Sequence, residues 1–303
     1  MRPLVAIVGP TAVGKSKLAL HLAQAFDGEI ISADSRQVYR YMDIGTAKSS
    51  VEERAQVPHH LIDMVDPDQD FSLALYQDMA YGALAEIERR GKLALLVGGS
   101  GLYVRAFVEG WQVPHVSPDP ELRLCLQAKG GEALYRELQQ IDPVAAEHID
   151  PSNVRRVIRA LEVYRRSGVP FSQLQRREPP PFRVIIVGLT TERSDLYRRI
   201  DARVDHMIEQ GLVEEVKDLV KRGYGFDLPS MSSLGYRQIG MMLEGKINLD
   251  STIQRIKYET HRFARHQYAW FRPHDRRIQW FDVREEIDEP VKELVENFVL
   301  GCD

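Results

Sequence analysis

Apolar runs of strand length alternate along this chain with stretches of helical periodicity, the pattern of a parallel sheet whose crossovers are helices. The runs "PLVAIVG" (3–9), "GEIISAD" (28–34), "KLALLVGG" (92–99) and "FRVIIVGL" (182–189) read as buried strands, and "RIQWFDV" (277–283) as a fifth. Behind the first run, Leu18, Leu22 and Phe26 with Ala19 and Ala23 recur at helical spacing and predict a helix packed on the sheet. Between the third and fourth strands, Trp111 to Pro181 holds helical patterns and no strand-like run, with Pro clusters at both edges ("VPHVSPDP", "EPPPF"). The expected architecture is therefore an α/β parallel sheet flanked by helices, which the Gly-rich turn "GPTAVGKS" (9–16) between the first strand and its helix makes P-loop NTPase-like. The core takes residues 1–112 and 182–303, and residues 113–181 form a helical insertion domain. A length of 303 residues suits a core with a substantial insertion.

The turn after the first strand carries the chemistry. "GPTAVGKS" fits G-x-x-x-x-G-K-[ST] and lies between a predicted strand and a predicted helix, the context that pattern requires. Residues Gly9, Pro10, Thr11, Ala12, Val13, Gly14, Lys15 and Ser16 then cradle phosphate. Backbone N–H groups turn inward on the oxygens, the helix N-terminus adds positive potential, Lys15 reaches the distal phosphate and the Ser16 hydroxyl holds Mg²⁺. Asp34 ends the second strand, on the side where ligands bind in doubly wound sheets. A carboxylate there faces the cradle and can take a proton from an acceptor, although a turn or helix cap would use the same residue type. Two readings stay open on these residues: a kinase that holds ATP and phosphorylates a hydroxyl, and a transferase of another group whose diphosphate leaves.

Charge and cysteine content narrow the setting. Net charge is −4, so any nucleic-acid surface is local. The two cysteines, Cys125 and Cys302, stand far apart with no metal-ligand spacing, which points away from zinc and disulfides. No apolar run approaches the ~20 residues of a membrane span, and the N-terminal run is too short for a signal peptide, so a cytoplasmic protein is expected. Two local basic clusters stand out. In "NVRRVIRALEVYRRSG", Val154, Val157, Ile158 and Leu161 form a stripe, with Arg155, Arg159 and Arg166 on another face. From Ser251 to Arg277 there are seven Lys/Arg against two acids, interleaved with Tyr258, Phe263, Tyr268, Trp270 and Phe271, an arrangement that serves phosphate contact and base stacking or a solvated helix face equally well.

The blocks "GPTAVGKS", "ISADSRQVYRYMDIGTAK", "VPHHLID", "LLVGGSGLY", "RALEVYRRSGVPFS" and "LGYRQI" occur in this order, and together they resemble the bacterial tRNA dimethylallyltransferases over residues 4 to 275. The resemblance implies that the cradle holds dimethylallyl diphosphate and that its C5 group passes to the N6 amine of the adenosine just 3′ of the anticodon, with diphosphate leaving. It implies that Asp34 is the general base, that Ser100 and Arg199 help hold the diphosphate, and that Asp34, Ser35, Arg36 and Gln37 line the adenine channel. Positions implied to face tRNA are Ser100, Arg123, Arg155, Arg156, Val157, Ile158, Arg159, Ser232, Ser233, Leu234, Gly235, Tyr236, Arg237, Arg265, His266, Gln267, Tyr268, Ala269, Trp270, Phe271 and Arg272. Ser100 replaces the family's usual Thr, and "RHQYAWFR" departs from the usual pattern at His266 and Ala269. The partners implied are the tRNA anticodon stem-loop and dimethylallyl diphosphate with Mg²⁺, on a monomer with no membrane. A prenyltransferase of free adenine nucleotides would have little use for the insertion and its arginines. A kinase would need Arg199 with Arg203 as a lid, and a non-enzymatic nucleotide-binding module would leave the base and the second surface idle.

Overall fold

Leu4 to Val8 are completely buried because their strand lies in the middle of the sheet, covered on both faces. The computed structural model describes residues 2–174 and 176–301, and Cys302 lies outside them. In chain order the elements are β1 (Arg2–Val8), α1 (Lys15–Ala25), β2 (Gly28–Ser32), α2 (Val51–Gln56), β3 (His59–His60), α3 (Leu73–Arg89), β4 (Leu93–Gly98) and α4 (Gly101–Val108). There follow α5 (Pro120–Gln127), α6 (Gly131–Ile141), α7 (Pro143–His148), α8 (Val154–Ser167), α9 (Phe171–Leu174) and β5 (Phe182–Thr190). The chain ends with α10 (Arg193–Glu209), α11 (Leu212–Lys221), α12 (Tyr236–Leu243), α13 (Leu249–Trp270), β6 (Ile278–Asp282) and α14 (Asp288–Leu300).

All strand pairs are parallel, in the order β3-β2-β4-β1-β5-β6, with Leu4 beside Ala94 on one side and Val184 on the other. This is the P-loop NTPase-like arrangement expected from the apolar runs and the Gly-rich turn. The sheet has one more strand than those runs predict. β3 is only two residues, His59 and His60, beside Ile30 and Ile31, and so short a strand shows no alternation to read. The chain leaves β1 for β2, which lies beyond β4, while β5 packs on the opposite side of β1. The carboxyl end of β1 is thus a switch point, where a crevice opens. Leu18, Ala19, Leu22 and Ala23 are the buried face of α1, as their spacing predicts.

The chain divides into two compact units, Met1–Val104 with Pro181–Asp303, and Arg105–Pro180, the junctions falling in α4 and just before β5. The second unit is helical, with a core that includes Leu126, Leu134, Leu138, Val157, Leu161 and Phe171. At its centre Glu162 is fully buried. Its carboxylate accepts from Arg123 Nε (2.8 Å) and a second Arg123 nitrogen (2.9 Å), from Arg159 (2.7 Å) and from the Asp119 amide (2.8 Å). Burial alone would push this carboxyl up. The bonds from Arg123, the Asp119 amide and Arg159 outweigh burial and hold it below the usual range.

Because the folded value lies below the unfolded one, the contribution of Glu162 is complete above the ordinary glutamate range and is lost as pH falls through the lowered value. Glu162→Gln is expected to cost about 3 kcal/mol, at the low end for a broken buried pair because both guanidiniums reach water. Thermal melts from pH 7 to pH 3 check this: the variant should start lower and lose less on acidification than the parent.

Candidate active site

The turn between β1 and α1 holds three residues at positive φ, Gly9 (143°), Ala12 (64°) and Gly14 (111°), and delivers Lys15 and Ser16 to the first turn of α1. Lys15 Nζ donates to the Pro10 carbonyl at 2.7 Å, closing the loop over itself. Burial, then the neighbouring Arg203 guanidinium, lower the Lys15 ammonium from its ordinary value to about 7, against an opposing pull from Asp34. Arg203 is likewise lowered by burial, with Asp34 opposing, and approaches Thr11 Oγ1 at 3.5 Å. Two cations thus share a partly dry site with one carboxylate, an arrangement suited to an anion of higher charge.

Two adjoining depressions surround this point. One is lined by Asp34, Ser32, Gln37, His59, Phe263 and Gln267, the other by Ala12, Gly14, Lys48, Glu53 and Arg199. Lys15, Ser16 and Arg203 line both. The cradle therefore borders both depressions, with Asp34 in one and Arg199 in the other. Arg203 is a full participant that the motifs alone do not single out. A signal for it exists, since Arg199 and Arg203 are four residues apart on α10 and share a face.

Asp34 lies two residues beyond β2, in a turn where its Oδ1 accepts the Arg36 amide at 2.9 Å. The other oxygen has no protein donor among the described contacts. The Ser100 hydroxyl accepts the Ser35 amide at 3.1 Å and lies 3.4 Å from Ser35 Oγ, so it fastens the Asp34 turn to the end of β4. It lines neither depression. Gln37 is fully engaged: its Oε1 accepts from Ser32 Oγ at 3.0 Å, and its Nε2 donates to the Thr46 and Ala47 carbonyls at 3.3 Å each. Arg36 reaches the Pro229 carbonyl at 3.0 Å. Lys48, nearly inaccessible, donates to Asp43, Asp63 and the Tyr39 carbonyl and pins the far end of the same loop.

The positions expected to face tRNA separate into two groups. Arg155, Arg156, Ser232, Arg237, Arg265, His266, Ala269, Trp270 and Arg272 are exposed, though Arg237 is paired with Glu259. Val157, Ile158, Ser233, Gly235, Tyr236, Gln267 and Phe271 are buried, and Leu234 and Tyr268 are half-buried. Tyr236 Oη donates to Glu215 at 2.6 Å, and Tyr268 Oη lies 3.1 Å from Thr190 Oγ1. Arg123 and Arg159 are bound to Glu162, and Arg166 is paired with Asp119 at 3.4 Å. A hydrophobic stripe beside arginines, seen as sequence, does not say which arginines turn inward. No group of three or more His, Cys, Asp or Glu able to hold a metal occurs among the described residues.

Known proteins share this sequence and fold. The family model described as IPP transferase matches residues 37–274, and that described as isopentenyl transferase matches residues 2–63. The tRNA dimethylallyltransferase of Roseiflexus castenholzii is 59% identical over 276 residues, 90% of each chain, and that of Thermomicrobium roseum 54% over 286 residues, 93% of this chain and 87% of the other. Among solved structures, a tRNA isopentenylpyrophosphate transferase from Bacillus halodurans matches with a TM-score of 0.73 at 43% identity, covering 99% of this chain and 96% of that one. A eukaryotic dimethylallyltransferase acting on tRNA matches with a TM-score of 0.87 at 26% identity, covering 99% of this chain and 80% of that one. With the phosphate cradle, the carboxylate beside it and these likenesses running nearly the whole length, the chain belongs to the IPP transferase family.

Proposed function

We propose that this enzyme transfers the dimethylallyl group of dimethylallyl diphosphate to the N6 amine of the adenosine just 3′ of the anticodon in tRNA. The observation that carries the reading is the sharing of Lys15, Ser16 and Arg203 between the depression that holds Asp34 and the one that holds Arg199. The diphosphate lies on the cradle, with Lys15, Arg203 and Arg199 about it, and the acceptor amine comes to Asp34. The allylic C–O bond breaks with its electron pair going to the diphosphate. The N6 lone pair forms the new C–N bond, and the amine proton passes to Asp34, because an amine conjugated with the purine is nearly non-basic. Cations already in place stabilise the growing charge of the leaving group.

The Ser16 hydroxyl is the protein group that would hold Mg²⁺ beside the diphosphate, where the ion would supply further charge neutralisation for the leaving group. The target base leaves its stack to reach Asp34, and phosphate contacts by exposed arginines offset that cost. The exposure of Arg155 and Arg156 on α8, of Arg265 near the end of α13 and of Arg272 just beyond it supports this role. No described helix is long and apolar enough to cross a membrane, and a monomer in the cytoplasm, where tRNA is processed, goes with this reading.

Labelled dimethylallyl diphosphate offered in parallel with tRNA, AMP and ATP tests the assignment, with label expected in tRNA alone. Asp34→Asn should retain diphosphate binding and lose turnover by roughly 10²- to 10⁴-fold, the range for removing a general base; an unchanged single-turnover rate would remove Asp34 from the chemistry. Lys15 gives a pH signature. With the free ammonium near pH 7, an anion that favours the charged form draws in a proton, so affinity should fall by up to tenfold per unit as pH rises above 7. Calorimetry of diphosphate binding at pH 8 in buffers of different ionisation enthalpy should show that uptake, and Lys15→Arg should abolish it. Replacing Arg155 and Arg156 by Ala is expected to weaken tRNA binding and lower its logarithmic salt slope by roughly 1 for each phosphate no longer neutralised. Arg159→Ala should instead appear as reduced thermal stability.

A further inference from the structure

Gln267, near the end of α13, joins two turns that are otherwise distant in sequence. Its Oε1 accepts the Thr11 amide of the phosphate cradle at 2.8 Å, and its Nε2 donates to the Gly99 carbonyl at 3.0 Å, with the side chain buried. The approach is close enough to dictate the neighbouring residues: a Cβ on Gly99 would fall 2.2 Å from Gln267 Nε2, and one on Gly101 would fall 2.2 Å from the Trp270 ring. The residue between these glycines, Ser100, accepts the Ser35 amide and so fixes the turn that carries Asp34.

Resting on the transferase reading above, we propose that Gln267 is a positioning residue that sets the distance between the diphosphate cradle and the Asp34 turn, acting through Thr11 on one side and through Gly99 and Ser100 on the other. An amide is the side chain this requires, since one end must accept an N–H and the other must donate to a carbonyl. Methionine supplies the volume with neither bond. Glutamate keeps the acceptor but, when ionised, turns an oxygen toward the Gly99 carbonyl; when protonated, it regains a donor. Reacting atoms held about 1 Å out of place lose on the order of 10² in rate. The defect therefore belongs in the chemical step more than in the affinity for either substrate.

Gln267→Met and Gln267→Glu test this in single-turnover prenylation of tRNA, with inorganic diphosphate binding by calorimetry, tRNA binding and thermal melts run beside it. The expected result is a 10- to 100-fold lower rate at saturating substrates for both variants at pH 8, with tRNA affinity within twofold of the parent. The Glu variant, expressed as a ratio to the parent at each pH, should recover as pH falls toward 6. The charged groups lining the same depression, Lys15, Asp34 and Arg203, are present in every protein compared, and the Met variant, which adds no charge there, serves as the pH control. Rates equal to the parent, a loss confined to tRNA affinity, or a Glu variant with no relative recovery would overturn the proposal. Failure of the parent to prenylate tRNA would overturn the transferase reading instead. In that event diphosphate binding, which needs no acceptor, still reports on Gln267 through Thr11: it should weaken at least threefold in the Met variant, and equal affinity would overturn the strut.

Discussion

Two half-buried cations facing the same crevice set the character of this site. Lys15 and Arg203 line the same depressions, and in the folded protein each is lowered by burial, Lys15 further by Arg203. Among the described residues, the Pro10 carbonyl, the Thr11 hydroxyl at its limit of reach and the field of Asp34 offset that cost. A site so arranged favours an anion. On the transferase reading, the same pre-set field stabilises a leaving group whose charge grows along the reaction, with no reorganisation needed at that moment.

On the same reading the opposite demand falls on Asp34, which has to stay near those cations without a close pair neutralising it. The structure meets it by tethering one carboxylate oxygen to the Arg36 amide and by bracing the turn from three sides. Ser100 holds the Ser35 amide, Gln37 ties the loop to Ser32, Thr46 and Ala47, and Lys48 anchors its end to Asp43 and Asp63. Much of the sequence block 34–48 therefore supports one carboxylate. Its polar side chains bond to the backbone of their own loop more than to open space.

Arginine is used in two ways. In the helical unit, Arg123 and Arg159 surround the buried Glu162, where a guanidinium's fixed fork suits a carboxylate with no water to complete its shell. Arg155 and Arg156, on the same helix as Arg159, point outward. Position relative to Glu162 separates the two uses, so a basic stripe of this kind is both a core element and a surface.

The strands, the phosphate turn and the place of Asp34 were legible in the sequence because each depends on local chemistry. Apolar runs mark buried strands, Gly9 to Ser16 is a turn whose backbone makes the cradle, and a polar residue just past a parallel strand lies at the crevice. The two-residue strand at His59 and His60 gave no such signal, since only Ile30 and Ile31 beside it make it a strand. Tertiary structure decided which polar side chains face inward. Gln267 sits among exposed Arg265, His266 and Arg272, and nothing local distinguishes it until α13 is laid against Thr11 and Gly99. The same holds for Arg159, Gln37 and Ser100. Periodicity reports which face a residue is on, but a hydrogen bond depends on what the chain brings to that face from far along the sequence.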